Sequence, residues 1–279
     1  MAIELFHKVS HECSKIVTAR YSTSFASAIK LLHKDLRTPI CNIYGFVRVA
    51  DEIVDSFHEH NKPYLLEKFK METFEAIEQG ISLNPILNSF QETVRQYCVD
   101  HALIHAFFRS MEFDLERNSY DQHGYEEYIY GSAEAVGLIC LQVFCEGDKR
   151  LFEKLKFAAR SLGAAFQKVN FLRDIQADYN ELSRMYFPGC DFHDFSAMDK
   201  IRIEEDIERD FQRAITGILL LPAKAKFGVY VAYKYYYSLF NKIKTAPPRD
   251  ILRQRIRISN YQKLSIMIRA GVKNGLRLI

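Results

Sequence analysis

Asp51 and Asp55 stand four residues apart, and so do Asp174 and Asp178, with Asn170 another four residues upstream. On a helix, residues four apart share a face. Each motif therefore offers a strip of oxygen donors, and two strips facing each other would form a cage for a hard cation. Mg²⁺ favours such oxygens and is commonly held by one or two carboxylates together with substrate phosphates. The chemistry suggested is that of a diphosphate.

Spacing alone is weak evidence, because acids four apart are common on solvated helix faces. Asp206 and Asp210 repeat the interval inside Glu204-Glu205-Asp206-Ile207-Glu208-Arg209-Asp210, a polar stretch expected to be an exposed face. The other two pairs differ in context. Asp51 and Asp55 end an otherwise apolar helix, and Asp174 and Asp178 close the apolar run Phe166–Leu172. Acids at the end of a buried helix are costly unless a cation compensates them. Arg48 and Arg173 adjoin the two pairs, and arginine gives bidentate contacts to phosphate. Each arginine also has a plain reading as half of an intrahelical ion pair, and Arg173 is as well placed to point outward as inward. The chain has 16 Tyr and 21 Phe. Most must pack the core, but Phe25, Tyr44, Tyr128 and Tyr236 are candidates for facing a carbocation, which aromatic faces stabilise. His101 and His105 share a helical interval but have no acidic partner nearby, so a zinc site is not expected there.

The elements that must position these residues are helices. The chain has 279 residues, 48% of them hydrophobic, enough for a large core in one large domain or two small ones. It has only 12 glycines and 7 prolines, so turns are few. The apolar periodicity is helical nearly throughout. One helix is expected to about Ala19 and a second from Ser24, with Ser22, Thr23 and Ser24 as N-cap candidates. Further helices are expected over Pro39–Asp55, Tyr64–Gly80, and Pro85 to about Ala106, continuing through 107–118. Beyond a turn at Ser119–Gly124 come Tyr125–Cys145, Leu151–Asp178, a loop over 183–194, and helices at 199–220 and 223–245. Pro247-Pro248 is a hard break, and a final helix or two follow. The arrangement expected is a single all-α domain, residues 1–279, built around a cavity.

A net charge of +3 does not indicate a general polyanion binder, and no nucleic-acid partner is expected. The tail is nonetheless basic: Arg253, Arg255, Arg257, Lys263, Arg269, Lys273 and Arg277 face one acid, Asp250. Its apolar positions make it a candidate for peripheral contact with anionic lipid, or equally a closing core helix with a solvated face. The six cysteines form no CxxC pair and read as reduced thiols. With no signal peptide recognised, a cytoplasmic location is expected, peripheral at the inner membrane face if the tail touches lipid. No apolar stretch approaches the ~20 residues that span a bilayer.

Several ordered motifs together resemble the squalene/phytoene synthase family of head-to-head prenyltransferases. They are Tyr21-Ser22-Thr23-Ser24-Phe25, Tyr44 through Asp55, Tyr128 through Gly137, Gln167 through Asp178, Arg184-Met185-Tyr186-Phe187-Pro188, and Arg255 through Lys263. The resemblance, of the phytoene-forming kind, spans nearly the whole chain. It implies an isoprenoid-synthase helical bundle and two C15 or C20 prenyl diphosphates as substrates. On the matching positions, Asp51, Asp55, Asn170, Asp174 and Asp178 would bind Mg²⁺, with Mn²⁺ as an alternative. Arg48 and Arg173 would contact diphosphate, with Ser22 and Ser24 near it. Phe25, Tyr44, Tyr128, Ala133, Gly137, Gln167, Tyr186, Tyr236 and Arg257 would line the substrate site. The product implied is phytoene, made from two geranylgeranyl diphosphates through prephytoene diphosphate, the first committed step of carotenoid biosynthesis. No NADPH is expected. A C30 dehydrosqualene or squalene synthase remains the nearest alternative, and a non-catalytic helical scaffold a more distant one. Many relatives place an acid just before the last aspartate of the second strip, where this chain has Ala177.

Overall fold

The computed structural model describes residues 2–117, 119–182, 184–191 and 195–276. Of the expected loop 183–194, residues 183 and 192–194 lie outside that set, as does Arg277 of the tail. Among the described residues every named element is helical, with one isolated bridge between Ser119 and Met185.

Helices α1 (Ala2–Tyr21), α3 (Lys34–Asp55), α4 (Lys62–Gln79) and α5 (Pro85–Gln96) pack on one another as an outer layer. Phe46 is fully buried in it, stacked on Phe90 at 3.9 Å between ring centroids. The approach of α1 to α3 depends on Gly45, where a Cβ would lie 2.9 Å from Ser14 Oγ. Pro39 lies inside α3 instead of opening it, since the helix begins five residues earlier at Lys34. The expected continuous helix from Pro85 to 118 is broken: Cys98 takes a left-handed φ of 50°, and Asp100 caps a new helix, α6 (His101–Glu116). Neither event has a strong local signal, because Cys98 is neither Gly nor Asn. His101 and His105 pack their rings against Phe74, which accounts for them without a metal.

The inner ring carries the chemistry. α2 (Thr23–Ile29) is capped by Ser22, whose hydroxyl accepts the Phe25 amide. Helices α7 (Gln122–Ile129) and α8 (Ala135–Cys145) join through a π-helical turn at Tyr130–Glu134. The joined unit, Gln122–Cys145, has 24 residues and is apolar enough by length and composition to cross a membrane. This corrects the expectation that no stretch approaches that length, but the unit is largely buried and walls the cavity. α9 (Lys149–Leu182) has 34 residues, about 50 Å at 1.5 Å per residue. It packs against α8, the π turn, α10 (Ala197–Ile218) and α11 (Ala223–Thr245). A short α12 (Pro248–Ile251) follows the proline break, and α13 (Asn260–Gly275) closes over α11.

Asp206 and Asp210 are not the solvated face expected from sequence. Lys168 on α9 ion-pairs with both, at 2.8 Å for Asp210, and Asp210 is buried. The third acidic pair thus fastens α9 to α10.

Candidate active site

Seven helical parts, α2, α6, the α7–α8 unit, α9, α10, α11 and the inward face of α3, enclose a cavity of about 550 Å³. Asp51 and Asp55 reach it from α3, and Asn170, Asp174 and Asp178 from α9. The two strips face one another at its mouth. Asp55 and Asp174 raise the pKa of Asp178 by repulsion, although burial is the largest cause, and together they bring it to about 8. Asp51 is pushed to about 7, first by burial and then by Asp55.

Cations lie among these acids. Arg173 grips both carboxylate oxygens of Asp174, at 2.9 and 2.5 Å, and so points inward. Arg255, from the segment between α12 and α13, takes the same two oxygens at 2.7 and 3.2 Å. Arg48 pairs with Glu52 and lies over the Tyr21 ring at 4.5 Å, yet its buried Nε has no hydrogen-bond partner.

Two side chains that sequence reasoning passed over complete the mouth. Asp114 on α6 is buried, and it accepts hydrogen bonds from Tyr128 (2.8 Å) and Tyr186 (3.2 Å). Burial pushes its carboxyl to about 7, opposed by Arg184. Arg184 is itself buried and ion-pairs with Asp114 at 3.3 Å and Asp55 at 3.1 Å, while donating to the Asp114 carbonyl at 2.6 Å. Burial holds Tyr128 and Tyr186 well above the ordinary phenol range, so both stay neutral and act as donors. The local signal for Asp114 is weak: it follows Phe107, Phe108, Met111 and Phe113, but Glu112 and Glu116 stand two residues to either side of it. Arg184 belongs to the Arg184–Pro188 motif, but its partners Asp55 and Asp114 lie far off in the chain.

Below the charged rim, Phe25, Tyr44, Phe166 and Tyr236 form an aromatic cluster. Phe166 stacks on Tyr236 at 4.0 Å, and Phe25 contacts Tyr44, Phe166 and Tyr236 at 5.7–6.1 Å. The Tyr236 hydroxyl donates to Asn170 Oδ1 at 3.3 Å. Ser22, Ala133, Gly137 and Gln167 also line the cavity.

Two expected residues do not. Ser24 is absent from the cavity lining, and its backbone carbonyl accepts from the Ser27 hydroxyl, while Ser22 does the lining. Arg257 is exposed, and only its carbonyl is engaged, by Lys242. In the segment after α12, Arg255 is the arginine that lines the cavity.

Among the described residues, no three His, Cys, Asp or Glu side chains are gathered tightly enough to hold a metal as they stand. The reason is visible: Asp174 is occupied by two arginines and Asp55 by Arg184. The donor set nevertheless fits a hard divalent cation. All five candidate ligands are oxygen donors. Burial first, and then repulsion between neighbouring acids, raises two of the carboxylates, and a cation would relieve the repulsion.

The site is an all-helical cavity with acidic strips at one end and aromatics beneath them. The sequence profile of the squalene/phytoene synthase family matches residues 18–262, and the chain belongs to that family, whose members are prenyltransferases. It is 24% identical over 266 residues to a 15-cis-phytoene synthase of Paracoccus sp., covering 88% of this chain and 86% of the other. It is 25% identical over 198 residues to a 4,4'-diapophytoene synthase of Staphylococcus haemolyticus, covering 68% and 65%. Among solved structures, a dehydrosqualene synthase superposes with a TM-score of 0.82 at 17% identity, covering 96% and 98%. A squalene synthase of Alicyclobacillus acidocaldarius gives 0.72 at 18%, covering 89% and 96%. These likenesses place the fold among the isoprenoid-synthase helical bundles.

Proposed function

We propose that the protein condenses two geranylgeranyl diphosphates head to head, through prephytoene diphosphate, to phytoene, with Mg²⁺ as its metal. The observation that carries this reading is the pair of opposed acidic strips at the mouth of one apolar, aromatic-lined cavity. The C20 substrate is favoured by the names of several relatives from distant organisms, which are phytoene synthases.

When bound by Asp51, Asp55, Asn170, Asp174 and Asp178, Mg²⁺ supplies Lewis-acid neutralisation of the departing diphosphate. The chain's own groups do the rest. A ligand that draws Asp174 away from Arg173 and Arg255 leaves two guanidinium groups at the rim for phosphate oxygens. Arg48 Nε, buried and unpaired, is a third donor. The cavity holds the allylic cation of one substrate against the double bond of the other, turning a bimolecular encounter into a positioned one. Loss of a proton gives the cyclopropylcarbinyl diphosphate, a second ionisation starts its rearrangement, and a last deprotonation yields the triene. The faces of Phe25, Tyr44, Phe166 and Tyr236 stabilise positive charge, and the apolar lining keeps out water that would trap it. Asp114 and Arg184 hold Tyr128 and Tyr186 in fixed orientation at the edge of this space.

Incubating the protein with labelled geranylgeranyl and farnesyl diphosphates, with and without NADPH, tests the assignment. Phytoene from the C20 substrate, independent of NADPH, is expected. A hydrocarbon formed only from farnesyl diphosphate would move the assignment to the C30 enzyme.

A further inference from the structure

The cavity is polar at one end only. All of its charged lining residues belong to the mouth and the Asp114 network beside it. Leu155 lies 19 residues before Asp174 on α9, about 28 Å along the helix, and the lining there is Leu155, Ala158, Gly217, Ile218 and Leu221. A hydrocarbon leaving through the mouth would have to pass a ring of carboxylates and guanidinium groups.

On the outer side of the same helices lies a second hollow. Leu155, Ala158 and Gly217 line it as well, so these three residues face both spaces. The wall between cavity and surface is one side chain thick there. The two helices approach closely there through small residues, since a Cβ on Gly217 would sit 2.3 Å from that of Ala158. Among the described residues the hydrogen-bonded and ionic ties between α9 and α10 are Lys168 to Asp206 and Asp210, about 15 Å from Ala158 along α9; nearer the seam the side-chain tie is the stacking of Arg213 on the Phe157 ring. Among the described residues the seam at Ala158 and Gly217 has no hydrogen bond or ion pair across it. It can part locally, with Arg213 lifting from Phe157, while the far end stays fastened.

The hollow's remaining lining includes Lys154, Arg209 and Arg213 and no carboxylate. Arg209 is paired with Asp206, whereas Lys154 and Arg213 make no ion pair among the described residues, and Arg213 lies over the Phe157 ring at 5.7 Å. Beside these cations stand two exposed apolar side chains, Phe157 at 59% and Leu220 at 51%. Apolar groups ringed by cations suit an anionic lipid leaflet.

We propose that the α9–α10 seam at Leu155, Ala158 and Gly217 is the port by which the apolar product leaves, and that its outer hollow rests on an anionic lipid surface. The proposal rests on the condensation reading above. The covalent steps finish at the mouth, and no bond is made or broken at the port.

The test uses the full chain with vesicles of phosphatidylcholine, alone or mixed with phosphatidylglycerol. Wild type, Phe157→Ser/Leu220→Ser, Lys154→Glu/Arg213→Glu and a comparison variant in the C-terminal helix, Leu264→Ser/Ile268→Ser, are assayed by vesicle flotation. Single-turnover and steady-state product formation are followed in parallel. Wild type is expected to float with the anionic vesicles and to turn over faster in their presence. Both hollow variants should keep the single-turnover rate but lose roughly tenfold or more in vesicle affinity and in vesicle-stimulated steady-state rate. The port is overturned if wild type does not bind the anionic vesicles, if the hollow variants match wild type, or if only the C-terminal variant loses binding. Failure of the condensation reading looks different: no product appears even in a single turnover, and the port falls with it.

Discussion

Replacing Asp114 by Asn would remove a charge that Tyr128, Tyr186 and Arg184 all address. Arg184 would keep Asp55 as its remaining carboxylate, so a buried guanidinium is left half compensated. We expect a loss of about 2–4 kcal/mol in unfolding free energy and a fall in kcat exceeding that of Tyr128→Phe, which gives up one hydrogen bond and about 1 kcal/mol. Denaturant titration with single-turnover assays checks both; an Asp114→Asn enzyme with wild-type kcat would remove the network from the account. Asp51→Asn should do the reverse to stability. It relieves repulsion from Asp55, so the metal-free protein should melt a few degrees higher near neutral pH while turnover collapses. The pH dependence has a definite sign. Asp51, Asp114 and Asp178 titrate near 7, 7 and 8 in the fold against a reference of 3.8. The fold therefore holds protons that the unfolded chain has released. Their stabilisation is complete below the reference value and is lost as pH rises through 7 to 8. A divalent cation competes with the protons on Asp51 and Asp178, so added Mg²⁺ should raise Tm more at about pH 8.5 than at about pH 6. Equal shifts at both pH values would argue against metal binding by these residues. At this scale the sequence revealed the strips, because spacing and apolar flanks are local properties. It did not reveal that Asp114 and Arg184 meet, since 70 residues of chain separate them.

The π turn at Tyr130–Glu134 is the most consequential single element. It puts Ser132 and Ala133 on the cavity and leaves the Ala133 carbonyl close against α9, where a Cβ on Gly163 would lie 2.5 Å from that oxygen. Such turns are rare and concentrate at functional sites. Gly163→Val should displace this wall, costing about 1–3 kcal/mol and lowering kcat. Gly271→Ala on α13, where a Cβ would meet nothing within 4 Å, should be neutral or stabilising by up to about 1 kcal/mol. Thermal melts of the two variants separate crowding at the wall from general glycine replacement, and equal effects would contradict the role given to the turn. Sequence periodicity places a helix over Tyr125–Cys145 but has no means of distinguishing one turn of i→i+5 hydrogen bonds from the i→i+4 bonds of an α-helix. It likewise recovered α11 at its observed bounds, where Pro222 and Pro247 punctuate both ends, and missed the break at Cys98, where a residue with no special turn preference adopts a left-handed backbone. The Asp206–Asp210 pair looks solvated in sequence for a related reason: its partner, Lys168, lies on another helix.

The whole molecule separates its charges from its apolar volume along one axis. Carboxylates and arginines gather where α3, α6 and α9 meet, and the aromatic and aliphatic lining extends from them to the far end of α9. That separation suits a substrate with a charged head and long apolar tail. The helical class was legible from composition and period, while the closure of seven helical parts around one space depends on long-range packing that no local pattern encodes. The central claim is that the opposed strips act together to ionise prenyl diphosphate. Its most direct test is turnover of radiolabelled geranylgeranyl diphosphate by wild type, Asp51→Asn and Asp174→Asn, each in Mg²⁺ and in chelator. We predict a C40 hydrocarbon from wild type in Mg²⁺ only, and a loss of at least about a hundredfold in each variant, the scale of removing an electrostatic stabiliser of a developing charge. Turnover that survives chelation, or survives either substitution undiminished, would contradict it.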